Sequence, residues 1–171
     1  MKCYSQTIFP APTRLTSPTT SALILFTFII GSVSVVGSDT IRVEGPGRVT
    51  LPEVEVKDSQ QTVYSGSLTL DLTNKSELNG WLLTGEIAQN ALIGSYTEEQ
   101  IPAALSFKSI TWISGGNGSA AGITVYPDGQ RIEADPGFGV GKYKIEFEIR
   151  YDVPPFPAAD RYDCVSTFIV Q

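Results

Sequence analysis

Strict alternation of apolar and polar residues is the feature that most constrains how this chain can fold. Residues 142–151 carry apolar side chains at every second position: Tyr143, Ile145, Phe147, Ile149 and Tyr151. The residues between them are charged. Because successive side chains of a strand point to opposite faces, this pattern predicts a strand with one buried and one solvated face.

Similar alternating segments follow one another from residue 39 to the C-terminus, separated by Gly, Pro and Asn turn residues. They predict a single domain over residues 39–171, an all-β fold built as an antiparallel, immunoglobulin-like β-sandwich of roughly eight to ten short strands. The exception is residues 96–101, where a helical turn capped by Thr97 is predicted.

The stretch from residue 67 to residue 87 reads as strand, polar loop, strand, and we expect it to form a β-hairpin. Trp81, Leu83 and Ile87 share one face of its second strand. This placement favours a core position for Trp81, although a flat aromatic ring is also suited to stacking on a ligand.

The N-terminal segment has the features of an export signal. Lys2 and Arg14 precede an uncharged apolar run over residues 22–36, and small residues at Val35 and Gly37 fit a cleavage site before Ser38. We therefore predict that residues 1–37 are a signal peptide, with an uncleaved membrane anchor as the alternative. Either outcome places the domain outside the cell, secreted or held at the surface.

Composition excludes several classes of function. The chain of 171 residues has a formal net charge of −6, and it has no basic stripe that would neutralise nucleic-acid phosphates. It has no histidine, and its two cysteines are Cys3, in the predicted leader, and Cys164. Without histidine, neither a Ser–His–Asp nor a Cys–His site can form. We predict no enzymatic activity and no cofactor, with a carboxylate-dependent exported hydrolase as the remaining catalytic alternative.

A short polar loop offers the oxygen atoms that calcium prefers. Its four candidate ligands are Asp71, Asn74, Ser76 and Glu77. Their spacing does not follow the EF-hand pattern, and we predict an ordinary polar loop with no metal site.

Two motifs resemble the WxL domain of Gram-positive cell-surface proteins. The tripeptide 81–83, Trp-Leu-Leu, follows a polar loop that ends in Gly80, as the first Trp-x-Leu motif of that family does. Near the C-terminus, Tyr162 precedes Phe168-Ile169-Val170 at the distance that separates Tyr from the second motif in the family. Phe168 and Val170 depart from the Trp and Leu of that motif. The resemblance implies a secreted β-sandwich that attaches non-covalently to the cell wall, through peptidoglycan.

These patterns give five candidate binding residues: Trp81, Leu83, Trp112, Tyr162 and Phe168. Trp112 precedes a Gly-rich loop, so we expect it to be more exposed than Trp81. Leu83, Tyr162 and Phe168 are candidates because they belong to the two motifs that resemble the WxL domain. The expected partners are a cell-wall polymer or other surface proteins, with no nucleic acid and no membrane contact beyond a retained anchor. The alternative is a pilin-like structural subunit that assembles by strand exchange.

Overall fold

The computed structural model describes residues 23–35, 40–51, 53–55, 57–77, 80–116, 121–158 and 160–171. Twelve strands lie in these ranges: β1 (Leu23–Val35), β2 (Ile41–Glu44), β3 (Val49–Thr50), β4 (Val54–Glu55), β5 (Gln61–Asn74), β6 (Trp81–Ile87), β7 (Ala91–Gly94), β8 (Gln100–Ser114), β9 (Ile123–Val125), β10 (Arg131–Ala134), β11 (Gly141–Val153) and β12 (Arg161–Val170). A single 3-10 turn, Ala88–Asn90, separates β6 from β7, and these ranges contain no α-helix. The prediction of an all-β fold is confirmed.

The strands form a continuous sheet that folds over into two layers. The first layer has the order β2-β5-β11-β8 and the second the order β7-β12-β6-β10-β9. Strand β8 joins them, because residues 100–102 pair with β7 and residues 103–114 pair with β11. The layers meet where the rings of Phe147 (β11) and Phe168 (β12) lie 5.4 Å apart, centroid to centroid. This is the sandwich that the alternation predicts.

Strand β11 is the centre of the first layer. It pairs with β5 on one side and with β8 on the other, and every second residue from Gly141 to Val153 is buried. Leu68, Leu70 and Leu72 of β5 are fully buried beside it. Each such side chain contributes roughly 1.5–3 kcal/mol when it leaves water, so the alternating residues account for much of the core.

The segment 67–87 does not form the predicted hairpin. Strand β5 pairs with β2 and β11 in one layer, whereas β6 pairs with β10 and β12 in the other. The chain therefore passes from one layer to the other between the end of β5 and the start of β6. The loop is longer than the two to five residues of a tight hairpin, which leaves each strand free to pair with more distant partners.

The predicted helical turn at residues 96–101 is also absent. Residues 95–97 form a turn, and β8 has already begun at Gln100. The backbone N–H of Gly94 donates to the carbonyl of Glu99, which closes a tight connection between β7 and β8. Thr97 does not cap a helix; its hydroxyl donates to Asp160 in another loop.

The apolar N-terminal segment runs as strand β1. It pairs in parallel with β12 and antiparallel with β3 and β4. The predicted cleavage site and the rest of the predicted leader lie outside the described residues, so its removal stays a prediction. Within the described ranges, no helix is long and apolar enough to cross a membrane.

Candidate functional site

Trp81 lies in the core. Its side chain is 2% exposed, and its ring lies 6.2 Å from that of Tyr143. The indole N–H donates to the carbonyl of Gly139 at 3.0 Å, and the Asn74 amide donates to the same oxygen at 3.2 Å. Gly139 has φ +73°, and a Cβ there would lie 2.4 Å from the indole nitrogen, so the close approach requires glycine. Trp81 therefore fastens the loop 135–141 to one end of the sandwich.

Three further residues of the predicted binding set are fully buried: Leu83, Tyr162 and Phe168. Phe168 pairs directly with Gly85, where a Cβ would lie 2.6 Å from the phenylalanine ring. The glycine thus makes room for the ring inside the sandwich. Together with Trp81, these side chains are core residues in this fold, and they present no surface to a polymer.

Trp112 is partly buried and packs against the core. Its indole N–H donates to the carbonyl of Gly115 at 2.8 Å. The register of β8 against β11 shifts at Lys108 and again at Ile113. A one-residue bulge moves the following side chains to the other face, which explains why Phe107 and Trp112 both pack against the core. Of the predicted set, Trp112 is the residue that keeps part of its ring at the surface.

The two most exposed aromatic residues in the described ranges lie at the opposite end of the sandwich. Tyr96 is 89% exposed and Phe156 is 76% exposed. Tyr96 belongs to the turn between β7 and β8, and Phe156 to the connector between β11 and β12. We call residues 95–99 together with residues 154–158 and Asp160 the aromatic end. Two large rings left in water on neighbouring loops favour a binding role over a packing role.

Asp160 joins the two loops of the aromatic end. Its Oδ2 accepts hydrogen bonds from the backbone N–H of Tyr96 at 3.0 Å and of Thr97 at 2.9 Å, and from the Thr97 hydroxyl at 2.8 Å. Its Oδ1 accepts from the N–H of Arg161 at 2.6 Å. Desolvation alone would raise the pKa of Asp160, but these hydrogen bonds outweigh it and lower the pKa to about 2. The carboxylate is therefore charged at neutral pH and holds the Tyr96 turn in place.

Glu99 makes a second connection between the same loops. Its carboxylate accepts hydrogen bonds from the backbone N–H of Ala158, at 2.9 Å, and from the hydroxyl of Tyr162. Burial raises the pKa of Tyr162, and the hydrogen bond to Glu99 raises it further. Tyr162 is thus a core residue whose hydroxyl reaches the aromatic end. Because these hydrogen bonds already order the two loops, the loops would lose less conformational entropy on binding a ligand.

Phe156 has a strained backbone. Its φ is +52°, in the left-handed region, and it stands between Pro155 and Pro157. Left-handed backbone costs a residue with a Cβ about 1–2 kcal/mol. A strained residue that holds an exposed apolar ring is typical of functional positions.

Two other kinds of site were considered from the sequence, a cysteine nucleophile and a calcium site, and the described residues form neither. Burial, followed by the charge of Asp163, raises the pKa of the Cys164 thiol to about 12, so it stays protonated at neutral pH. Among the four oxygen-bearing residues considered as calcium ligands, Asp71 is exposed on the outer face whereas Asn74 is buried, and the Asn74 oxygen accepts the N–H of Ser76. No group of three or more Asp, Glu or Cys side chains in the described ranges is placed to hold a metal ion.

A shallow depression of about 220 Å³ lies on the flank of the molecule. It is lined by Asn90, Pro102, Ala103, Ala104, Arg150 and Asp152. Within it, Asp152 accepts a hydrogen bond from the Thr62 hydroxyl at 2.7 Å and pairs with Arg150 at 3.4 Å. These contacts are those of a surface ion pair.

The alternation did not reveal Tyr96, Phe156 and Asp160, because all three lie in loops. A signal for one of them was present in the sequence. Phe156 is the single aromatic residue in the run Pro154–Ala158, where three prolines cannot donate to a strand ladder. Because this connector is not part of a strand, its large apolar side chain is not directed into the core and is expected to be exposed.

Comparison with protein-family models finds no match to this chain, and comparison with curated proteins finds none either.

Proposed function

We propose that this chain is a secreted or cell-surface, non-catalytic β-sandwich that binds the cell wall, with peptidoglycan as its ligand. The observation that supports this proposal most is the aromatic end. Tyr96 and Phe156 stand 89% and 76% exposed on two loops that Asp160 and Glu99 hold together. Flat aromatic faces stack on sugar rings and on peptides, which are the two components of peptidoglycan.

The net charge of the protein indicates which component of the cell wall it contacts. A chain with a net charge of −6 is repelled by a polyanion, so phosphate-rich wall polymers are a poor ligand. The proposed contact is the glycan strand, whose sugar rings the two aromatic side chains cover. Trp112, at the other end of the sandwich, is not part of this contact.

Retention on purified, insoluble peptidoglycan tests the proposal. The folded protein is expected to sediment with peptidoglycan at physiological salt. Tyr96→Ala and Phe156→Ala are each expected to lower the affinity roughly tenfold, the equivalent of about 1.4 kcal/mol for one lost stacking contact. Both side chains are exposed, so neither variant should change the free energy of unfolding by more than about 0.5 kcal/mol.

Tyr64→Ala is the matched control. Tyr64 is 58% exposed, but it lies on β5, outside the aromatic end. Trp112→Ala serves as a second control, since it removes a partly exposed ring at the opposite end. Unchanged retention in both controls supports the proposed site. No retention of the parent protein, or retention that all four variants preserve, would show that the proposal is wrong.

A further inference from the structure

In the part of the chain that the structure describes, one edge of strand β12 is covered by β1 alone. On one side, β12 pairs with β6 through residues 166–170 and with β7 through residues 162–163. On the other side it pairs with β1, in parallel, at nine positions from Leu25 opposite Arg161 to Val35 opposite Val170. The backbone groups along that edge therefore depend on a single partner strand.

The far side of β1 is bordered by two short strands. Thr27 and Phe28 pair with β3, and Leu23 and Ile24 pair with β4. In the described ranges, β3 and β4 have no ladder with any strand other than β1. The segment thus fills a slot one strand wide, with β12 as one wall and β3 and β4 as the other.

Apolar side chains line both walls of this slot. Leu51 and Val54, on the β3–β4 side, are 1% and 9% exposed, and Cys164 and Phe168, on β12, are 5% and 0% exposed. A sheet that loses an internal strand uncovers the core beneath the gap and leaves two rows of unpaired N–H and C=O groups. An empty slot would consequently be both apolar and ready for hydrogen bonding.

The occupant is the segment that the sequence predicts to be removed on export. We infer that the slot beside β12 is a strand-acceptor site. Residues 23–35 fill it in the precursor, and a segment of another protein fills it after export. The inference rests on the proposed export, because removal of residues 1–37 vacates the slot. It adds to peptidoglycan binding a second interaction, at a different part of the surface, with a protein partner.

The chemistry of residues 23–35 defines the partner. The segment has no charged residue and no proline, and Phe, Leu, Ile and Val dominate it. A partner must accordingly supply about nine extended, uncharged residues, running in the direction of β12 and free of proline, which cannot donate to the ladder. A second mature copy of this chain would lack its own residues 23–35, so the donor is a different protein.

Exchange of a labelled strand tests the inference on the full-length protein. A protease recognition sequence is inserted between Gly37 and Ser38, the folded chain is cut, and mild denaturant releases the freed segment. A fluorescent peptide with the sequence of residues 23–35 and lysines at both ends is then added as the denaturant is removed. The control peptide carries Ile29→Pro and Val33→Pro. We expect one labelled peptide per chain, and about tenfold more uptake of it than of the control.

Hydrogen exchange supplies a second measurement on the same samples. Those amides of β12 that point towards the slot should become protected when the labelled peptide enters and remain unprotected with the control peptide, whereas the amides bonded to β6 and β7 should stay protected in both samples. Equal uptake of the two peptides, or uptake without protection of β12, would overturn the inference.

The two proposals can fail separately. Tyr96→Ala and Phe156→Ala should take up the strand peptide as the parent chain does, because neither residue lies on a wall of the slot. Peptidoglycan retention without strand uptake would refute the acceptor site and leave the wall-binding proposal standing. Strand uptake without peptidoglycan retention would refute the wall-binding proposal and leave the acceptor site standing.

Discussion

At the scale of the residue, Ser166 places a hydroxyl group among buried side chains that are mostly apolar. Ser166 is fully buried on β12, and its Oγ has no hydrogen-bond partner among the described residues. A buried hydroxyl without a partner loses its hydrogen bonds to water and gains nothing in return. Ser166→Ala is therefore expected to raise the free energy of unfolding by about 1 kcal/mol, as measured by urea denaturation.

Thr167→Ala is the neighbouring control for that experiment. Thr167 alternates with Ser166 and lies on the other face of β12, where it is only partly buried. Its replacement should change the free energy of unfolding by less than about 0.5 kcal/mol. A loss of stability in Ser166→Ala would instead show that the hydroxyl has a partner in the folded protein.

Phe156 allows stability and binding to be separated at one position. Glycine adopts the left-handed conformation of Phe156 (φ +52°) without steric cost, so Phe156→Gly should gain roughly 0.5–1 kcal/mol of stability. Alanine keeps a Cβ and with it the strain, so Phe156→Ala should leave the stability unchanged. Both variants should lower the affinity for peptidoglycan roughly tenfold. If Phe156→Gly is more stable and still binds normally, the strain at this residue has no connection with function.

At the scale of the element, Asp160 makes the order of the aromatic end depend on pH. Its pKa is lowered from 3.8 to about 2 by hydrogen bonds from Thr97, Tyr96 and Arg161, which outweigh desolvation. Because the folded pKa is the lower one, the carboxylate stabilises the fold above pH 3.8. That contribution is lost as the pH falls through about 2. The amide signals of Tyr96 and Thr97 should follow this titration in NMR spectra.

Two variants identify the carboxylate that makes the Tyr96 turn depend on pH. They are Asp160→Asn and Asp128→Asn. The pKa of Asp128 is also lowered, chiefly by the backbone N–H of Gln130, but Asp128 lies in a different turn. Asp160→Asn should abolish the acid titration of the Tyr96 and Thr97 amides, and Asp128→Asn should leave it intact. The opposite result would mean that another group holds the Tyr96 turn.

The strands themselves were largely predictable, because alternation is a local property of the sequence. Residues 81–87, for example, form β6 as expected. Their partners were not predictable in the same way. The hairpin prediction was wrong because β5 and β6 pair with strands far along the chain, on which no local pattern bears. Trp112 is more exposed than Trp81, in the direction expected from the Gly-rich loop that follows it, whereas its packing against the core depends on the bulges at Lys108 and Ile113, which the sequence does not reveal.

At the scale of the whole molecule, the fold class followed from the number of alternating segments, whereas the position of the candidate site did not. A sandwich needs inward-facing side chains on both layers, and those residues leave a clear sequence pattern. Tyr96 and Phe156 lie on two loops that are distant in the sequence and that Asp160 and Glu99 join at one end of the sandwich. The residues of the WxL-like motifs were easier to see in the sequence, but the four that were predicted to bind a ligand lie in the core: Trp81, Leu83, Tyr162 and Phe168.

Phe168 belongs to one layer of the sandwich and packs against a side chain of the other layer. Its ring packs on Phe147 of the opposite layer and lies over Gly85 of the neighbouring strand. Phe168→Ala leaves a cavity between the layers and should lower the free energy of unfolding by about 3–5 kcal/mol. Phe168→Trp introduces the tryptophan that the WxL motif has at this position, but the space over Gly85 is already filled, so overpacking should cost about 1–3 kcal/mol.

Urea denaturation followed by two probes measures both effects and tests the cooperativity of the sandwich. Tryptophan fluorescence reports on Trp81 in β6 and Trp112 in β8, one in each layer, and circular dichroism reports on all the strands. If Phe168 joins the layers, the transitions seen by the two probes should coincide in every variant and shift together. Separate transitions in Phe168→Ala would mean that the layers unfold independently once the ring is removed. A shift of less than about 1 kcal/mol would show that the contact with Phe147 contributes little to holding the two layers together.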